Sequence, residues 1–232
     1  MSKVIGIIGG LSPESTMLYY QFITRRYYKQ FQNHKYPEII IYSVNFQKYI
    51  DWAYQEQWQD VITDLIKKLR YLQSAGADFA IIACNTVHIV FEEINQYSPI
   101  PLLSIIDATA DAIQAQHIKK VGLMGTQFTM EQPFYQQKLA KYGISTVIPN
   151  QQQREYLDAL ILDELSQGII NPLSRRKVLD IIDSLISQGA KGIVLGCTEI
   201  PLLITHHASV SLFDTASIHA EKALQYALKE SV

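Results

Sequence analysis

Two stretches, Ile81 to His88 (IIACNTVH) and Val194 to Pro201 (VLGCTEIP), contain the only two cysteines of the 232-residue chain. Each cysteine closes a short apolar run, is followed at once by small polar residues, and then by a helix-like pattern. The runs are continuous rather than alternating, as expected of parallel strands buried on both faces. Read backwards, the likeness extends. Gly76 stands eight residues before Cys84 in AGADFAIIACNT, and Gly189 stands eight before Cys197 in QGAKGIVLGCTE.

Outward from these stretches, apolar β-rich runs alternate with helical patterns. KVIGIIGG, EIIIYSV, DFAIIAC, PLLSII, KVGLMG, KGIVLGC and VSLFD read as strands. Between them, QWQDVITDLIKKLRYLQSAGA and SRRKVLDIIDSLISQGA place apolar residues at helical spacing and end near a glycine. Alternating strand and helix units predict α/β layers. The repeat has two further matches. GIIGG from Gly6 parallels GLMGT from Gly122, and IIDATADAI, with Asp107, echoes LFDTASIHA, with Asp214. The expected fold is therefore α/β with two similar halves, each a mainly parallel sheet flanked by helices.

Composition narrows the function classes. The formal charge is −2, the charged fraction 18% and the hydrophobic fraction 48%, an ordinary globular balance. Basic residues occur only as short pairs such as Arg25–Arg26, Lys119–Lys120 and Arg175–Arg176, which argues against nucleic acid or an anionic membrane as partner. No apolar run approaches the roughly 20 residues that span a bilayer. The N-terminal apolar run continues into a glycine turn and a helix start rather than a cleavage site, so a cytoplasmic protein with reduced cysteines is expected.

Each cysteine is predicted at the carboxyl end of a parallel strand, where open α/β sheets place their ligands. The following residues open helices, Pro201 suiting a first helical turn. A helix N-terminus offers N–H groups and partial positive charge, which bind carboxylates and lower a thiol pKa from about 8.5. If the halves face each other, two thiols meet across one cleft. Such a pair suits inversion of a stereocentre, one thiolate removing a proton from Cα and one thiol delivering a proton to the other side. Neither cysteine has the spacing of a zinc site, so no metal is expected. His88, four residues after Cys84, reads as a packing residue, and His206, His207 and His219 have no metal-type partners. In GIIGGLSPEST, Ser12 and Pro13 read as N-cap and first helical residue. The turn is either a tight strand-to-helix connection or a third helix N-terminus at the same cleft, and it matches neither standard nucleotide-binding glycine pattern.

Together GIIGGLSPEST, ACNT, GTQFTMEQPFY, GCTEIPLL and FDTASIHAE resemble the aspartate/glutamate (Asp/Glu/hydantoin) racemase family across nearly the whole chain. The resemblance implies two α/β domains with the active site in the cleft between them. It implies racemisation without pyridoxal phosphate or other cofactor, a small amino-acid substrate and a homodimer. It makes Cys84 and Cys197 the two bases and places Gly10, Leu11, Ser12, Asn85, Thr86, Thr126, Thr198 and Glu199 around the substrate. The C-terminal segment is expected to return to the first domain, giving 1–102 plus 212–232 and 103–211. Leu11–Ser12 and Thr198–Glu199 are more like the aspartate racemase branch than the glutamate racemase branch. Lys48 and Arg154 are the cations offered for the substrate's side-chain carboxylate. Aspartate is the expected substrate, with glutamate next. A hydantoin racemase, a maleate isomerase and a non-catalytic carboxylate-binding protein are the competing readings.

Overall fold

The computed structural model describes residues 2–229. The first apolar run forms β1 (Ile5–Gly9), buried at all five positions as an inner strand covered on both faces must be. β2 (Ile39–Ser43) and β3 (Phe79–Ile82) flank it, and β4 (Leu102–Leu103) joins β3, in the order β2-β1-β3-β4. A second sheet repeats the plan with β5 (Lys120–Met124), β6 (Ser145–Val147), β7 (Gly192–Leu195) and β8 (Ser211–Asp214), in the order β6-β5-β7-β8. Every neighbouring pair in both sheets is parallel.

Parallel neighbours need long crossovers, and helices supply them. The helix Trp58–Ser74 turns Val61, Ile62, Leu65, Leu69 and Leu72 onto one buried face, against Ile8 and Ile82. The helix Pro172–Ser187 does the same with Val178, Ile181, Ile182 and Leu185, against Ile193 and Leu195. Each such side chain, fully buried, contributes roughly 1.5–3 kcal/mol. Both helices lead into the glycines noted above, Gly76 and Gly189, which take positive φ of 102° and 93° to turn the chain back toward the sheet.

The internal repeat is exact to the residue in the first two strands of the match. Gly6 pairs with Ala80 and Gly122 with Ile193, and Ala80 and Ile193 each lie four residues before their cysteine. The third match is out of register. Leu103 pairs with Ile81 and Phe213 with Val194, so Ser104, not Asp107, stands where Asp214 stands. Asp107 lies instead in the first turn of the helix Ile105–Ala115, where it accepts from Tyr142 and pairs with Lys138.

The strand expected over PLLSII shrinks to two residues because Ile105 and Ile106 begin that helix. β6 was not foreseen. The chain divides into one unit running to Ile105 and resuming at His219, and a second from Ile106 to Ile218. Beside the expected 1–102 plus 212–232 and 103–211, this division keeps residues 103–105 with the first unit and 212–218 with the second, where β8 hydrogen-bonds to β7. Met1 and residues 230–232, included in the expected first domain, lie outside the described residues. No helix among the described residues is long and apolar enough to cross a membrane.

The turn after β1 is tightly constrained. Gly10 has φ +80°, and a Cβ there would lie 2.5 Å from the Val44 carbonyl oxygen and 2.6 Å from Ser43 Oγ. At Gly76 the φ is also positive, but a Cβ would meet nothing within 4 Å. Gly76→Ala should therefore lose only about 1 kcal/mol of backbone strain. Gly10→Ala should lose distinctly more, of order 2–4 kcal/mol. Urea unfolding of the two variants checks this; equal midpoints would contradict the close contact at Gly10.

Candidate functional site

In the first unit two turns lie side by side at the carboxyl ends of β1 and β3. Ile8 pairs with Ile82, and the Ala83 N–H donates to the Ile8 carbonyl at 2.9 Å. Cys84 is the second residue past β3 and is partly exposed. Opposite it, Ser12 caps the helix Pro13–Phe31, its Oγ accepting from the Ser15 N–H at 3.3 Å, and Pro13 fills the first helical position as expected. Ser15 Oγ then donates to the Ala83 carbonyl at 3.2 Å, fastening the start of this helix to the residue before Cys84. The Gly10 N–H donates to Thr16 Oγ1 at 2.7 Å. Thus Gly10, Ser12, Cys84, Asn85 and Thr86 share one end of the sheet. Leu11 differs: its side chain is buried in the apolar cluster with Ile8, Val87 and Val90.

The second unit builds a parallel arrangement. Met124 pairs with Leu195, and the Gly196 N–H donates to the Met124 carbonyl at 2.6 Å. Cys197 is again the second residue past its strand. Thr126 caps the short helix Gln127–Glu131, accepting from the Thr129 N–H at 3.4 Å. Cys197, Thr198 and Glu199 are all buried, and Cys197 Sγ donates to Glu199 Oε2 at 2.8 Å while Thr198 Oγ1 donates to the same oxygen at 3.0 Å. Thr215 Oγ1 donates to the Leu195 carbonyl at 2.8 Å, and Asp214 Oδ1 accepts from the N–H groups of Ala216 and Ser217. Burial raises the Asp214 pKa.

The helices expected after the two cysteines differ. After Cys84 a 3₁₀ helix, Thr86–Val90, runs directly into the α-helix Phe91–Tyr97, whereas the helix after Cys197 is only Ile200–Leu203. The four-residue helix lacks the aligned length that gives a substantial dipole, so what the second turn offers is individual N–H and hydroxyl groups. The two cations offered by the sequence are also engaged. Lys48 lies 3.4 Å from Asp64 and over the Trp52 ring, and Arg154 pairs with Glu131 at 2.7 Å and donates to the Pro149 carbonyl. Among the described residues no group of three metal-ligating side chains forms a candidate metal site.

Two buried histidines organise the first unit, and one of them, His88, holds the first cysteine turn. His88 Nε2 lies 3.1 Å from the Ile105 N–H, which can only donate, so Nε2 accepts. Its Nδ1, 2.8 Å from the Cys84 carbonyl, must then carry the proton and donate. His219 has the roles reversed: Nε2, 2.9 Å from the Leu103 carbonyl, must donate, and because burial keeps the ring neutral, Nδ1 accepts from the Tyr19 hydroxyl at 2.9 Å. Both rings are thus neutral, each in one tautomer. These two roles were missed in the sequence. The available signal was His219 sitting among Ala216, Ala220 and Ala223 on the buried face of the helix Thr215–Leu228.

This architecture belongs to a known class. The Asp/Glu/Hydantoin racemase profile matches residues 8–223. A crystal structure of a Yersinia pestis protein, provisionally described as an Asp/Glu racemase, is 41% identical, covers 98% of this chain and 100% of its own, and superposes with a TM-score of 0.89. That of an aspartate racemase homologue from Pyrococcus horikoshii OT3 is 38% identical, covers 99% and 100%, and gives 0.86. The broad specificity amino-acid racemase RacX of Bacillus subtilis strain 168 is 26% identical over 95% of this chain and 96% of its own length. The chain belongs to the Asp/Glu/hydantoin racemase family.

The neutral His219 makes stability depend on pH. Burial lowers its pKa from 6.5 to about 4. Above about 6.5 both native and unfolded chains hold it neutral. Between about 6.5 and about 4 only the unfolded chain takes up the proton, so stability falls as pH falls. At 1.36 kcal/mol per unit, this one residue should remove roughly 2–3 kcal/mol between pH 7.5 and 4.5. His219→Gln, which cannot be protonated there, should reduce the pH-dependent loss by that amount in urea melts at the two pH values. An undiminished loss would show that other groups carry the acid sensitivity.

Proposed function

We propose that the chain is an amino-acid racemase acting without pyridoxal phosphate, in which Cys84 and Cys197 exchange protons with Cα of a small amino acid, aspartate before glutamate. The observation that carries this reading is the duplicated placement of a thiol two residues past the third strand of each sheet. Carboxylate binding alone requires no such thiol. Inversion requires one group to remove the Cα proton and another to deliver a proton to the opposite face. A thiolate and a thiol do both, and exchange roles for the other enantiomer. The carbanion-like transition state is stabilised by N–H and hydroxyl donors held toward the substrate carboxylate. We assign that task to Gly10, Ser12, Asn85, Thr86, Thr126 and Thr198. A cytoplasmic homodimer completes the reading.

A broader amino-acid specificity is the second reading. The ion pairs that occupy Lys48 and Arg154 favour it, because they engage the two cations offered for a side-chain carboxylate. Its likeness to a broad specificity racemase adds support.

Chiral chromatography of single enantiomers incubated with the purified protein, without added cofactor, tests the reading and selects the substrate. Conversion of aspartate should exceed that of neutral amino acids; equal rates would select the broader reading. Cys84→Ser and Cys197→Ser should each lower racemisation by roughly 10²–10⁴-fold, the range for loss of one general acid–base group. Near-normal turnover in either folded variant would overturn the two-thiol assignment. The pH–rate profile should be bell-shaped, its limbs belonging to the coupled thiols rather than to one residue.

A further inference from the structure

The two cysteine turns differ in charge at one position. Counted from its cysteine, Thr86 in the first unit stands where Glu199 stands in the second. Glu199 is only 3% exposed, and its Oε2 accepts from Cys197 Sγ at 2.8 Å and from Thr198 Oγ1 at 3.0 Å. A thiolate and a carboxylate at that separation, shielded from water, would be two like charges at about 3 Å, an arrangement that buried acid pairs avoid by retaining a proton.

Resting on the two-thiol reading above, we infer that Glu199 is the proton partner of Cys197, a positioning residue that acts through the sulfur rather than on the substrate. With one proton, the pair exists as thiol and carboxylate or as thiolate and carboxylic acid. The proton moves from Sγ to Oε2 along the existing hydrogen bond, breaking S–H and forming O–H, with no change in oxidation state. In the second form the thiolate is ready as a base: it takes the Cα proton, and the pair becomes thiol and carboxylic acid while the negative charge passes to the substrate. In the reverse sense that doubly protonated pair gives the Sγ proton to the carbanion and returns to a single negative charge. At no stage does the turn hold two. Glu199 thus leaves the set of substrate contacts that family resemblance gave it.

Cysteine labelled with ¹³C at Cβ tests this directly, because the chain has two cysteines and hence two resonances, assigned with Cys84→Ser. The Cys197 thiolate transition should lie about one pH unit or more higher in the wild type than in Glu199→Gln, which keeps the shape and removes the like charge. An unchanged or higher midpoint in Glu199→Gln overturns the proposal. Should that variant not fold, Glu199→Asp, with its carboxyl drawn back from Sγ, decides in the same way: a lower midpoint supports the pair and an unchanged one overturns it. In turnover, Glu199→Gln should lower kcat at least tenfold with little change in KM, and Glu199→Asp should recover part of it. A rise in KM at constant kcat would instead make Glu199 a substrate contact. If the wild type racemises nothing, the functional reading fails, while the titration still decides whether Glu199 and Cys197 share a proton.

Discussion

The structure of both candidate sites depends on one register: the pairing of the first strand of each sheet with the third. Ile8 beside Ile82, and Met124 beside Leu195, bring the turn that follows one strand next to the turn that follows the other. A slip of one residue would turn every side chain of the strand to the opposite face and carry the cysteine with it. The register is held by burial. β1, β3 and β7 are buried at every position, and the helices that cover them insert Leu65, Leu69, Ile181 and Leu185 at helical spacing.

The same pairing is then used twice with different chemistry around it. In the first unit, Cys84 is set through its backbone: His88 holds its carbonyl, and Ser15 holds the carbonyl before it. In the second unit, the Cys197 side chain itself is engaged, by a buried carboxylate two residues on. A duplicated fold does not demand duplicated electrostatics, and here the two cysteines are held by different neighbours. The buried Ser15, His88, Thr198 and Glu199 side chains would be costly unpaired, and the observed hydrogen bonds pair them.

Much of this was legible in the sequence, for identifiable reasons. Continuous apolar runs revealed seven of the eight strands among the described residues, and the spacing from Gly76 to Cys84 and from Gly189 to Cys197 revealed the repeat. β6 was hidden because Ser145–Val147 is short, partly exposed and without an apolar run. The Asp107 match misled because a common acidic residue near a helix start is weak evidence of register; only strand pairing shows that Ser104 occupies the equivalent place. The cysteines could be chosen by rarity and setting. His88, His219 and the link between Cys197 and Glu199 could not, because their roles depend on which atoms fold within hydrogen-bonding distance, and no period in the sequence encodes that. The shortness of the helix after Cys197 was equally unreadable, since Pro201 signals where a helix begins but not that it ends at Leu203.

The central claim is that two separate groups handle the Cα proton. The most direct measurement is isotope content early in the reaction of L-aspartate, or the amino acid the chiral assay selects, in D₂O. NMR or mass spectrometry then compares Cα deuterium in the newly formed D-enantiomer with that in the recovered L-enantiomer. With two thiols, the product receives its hydrogen from a group already equilibrated with solvent, so the D-enantiomer should be deuterated while the recovered L-enantiomer stays largely protiated. A product that keeps its Cα protium would show a single group carrying the proton across, and would contradict the account.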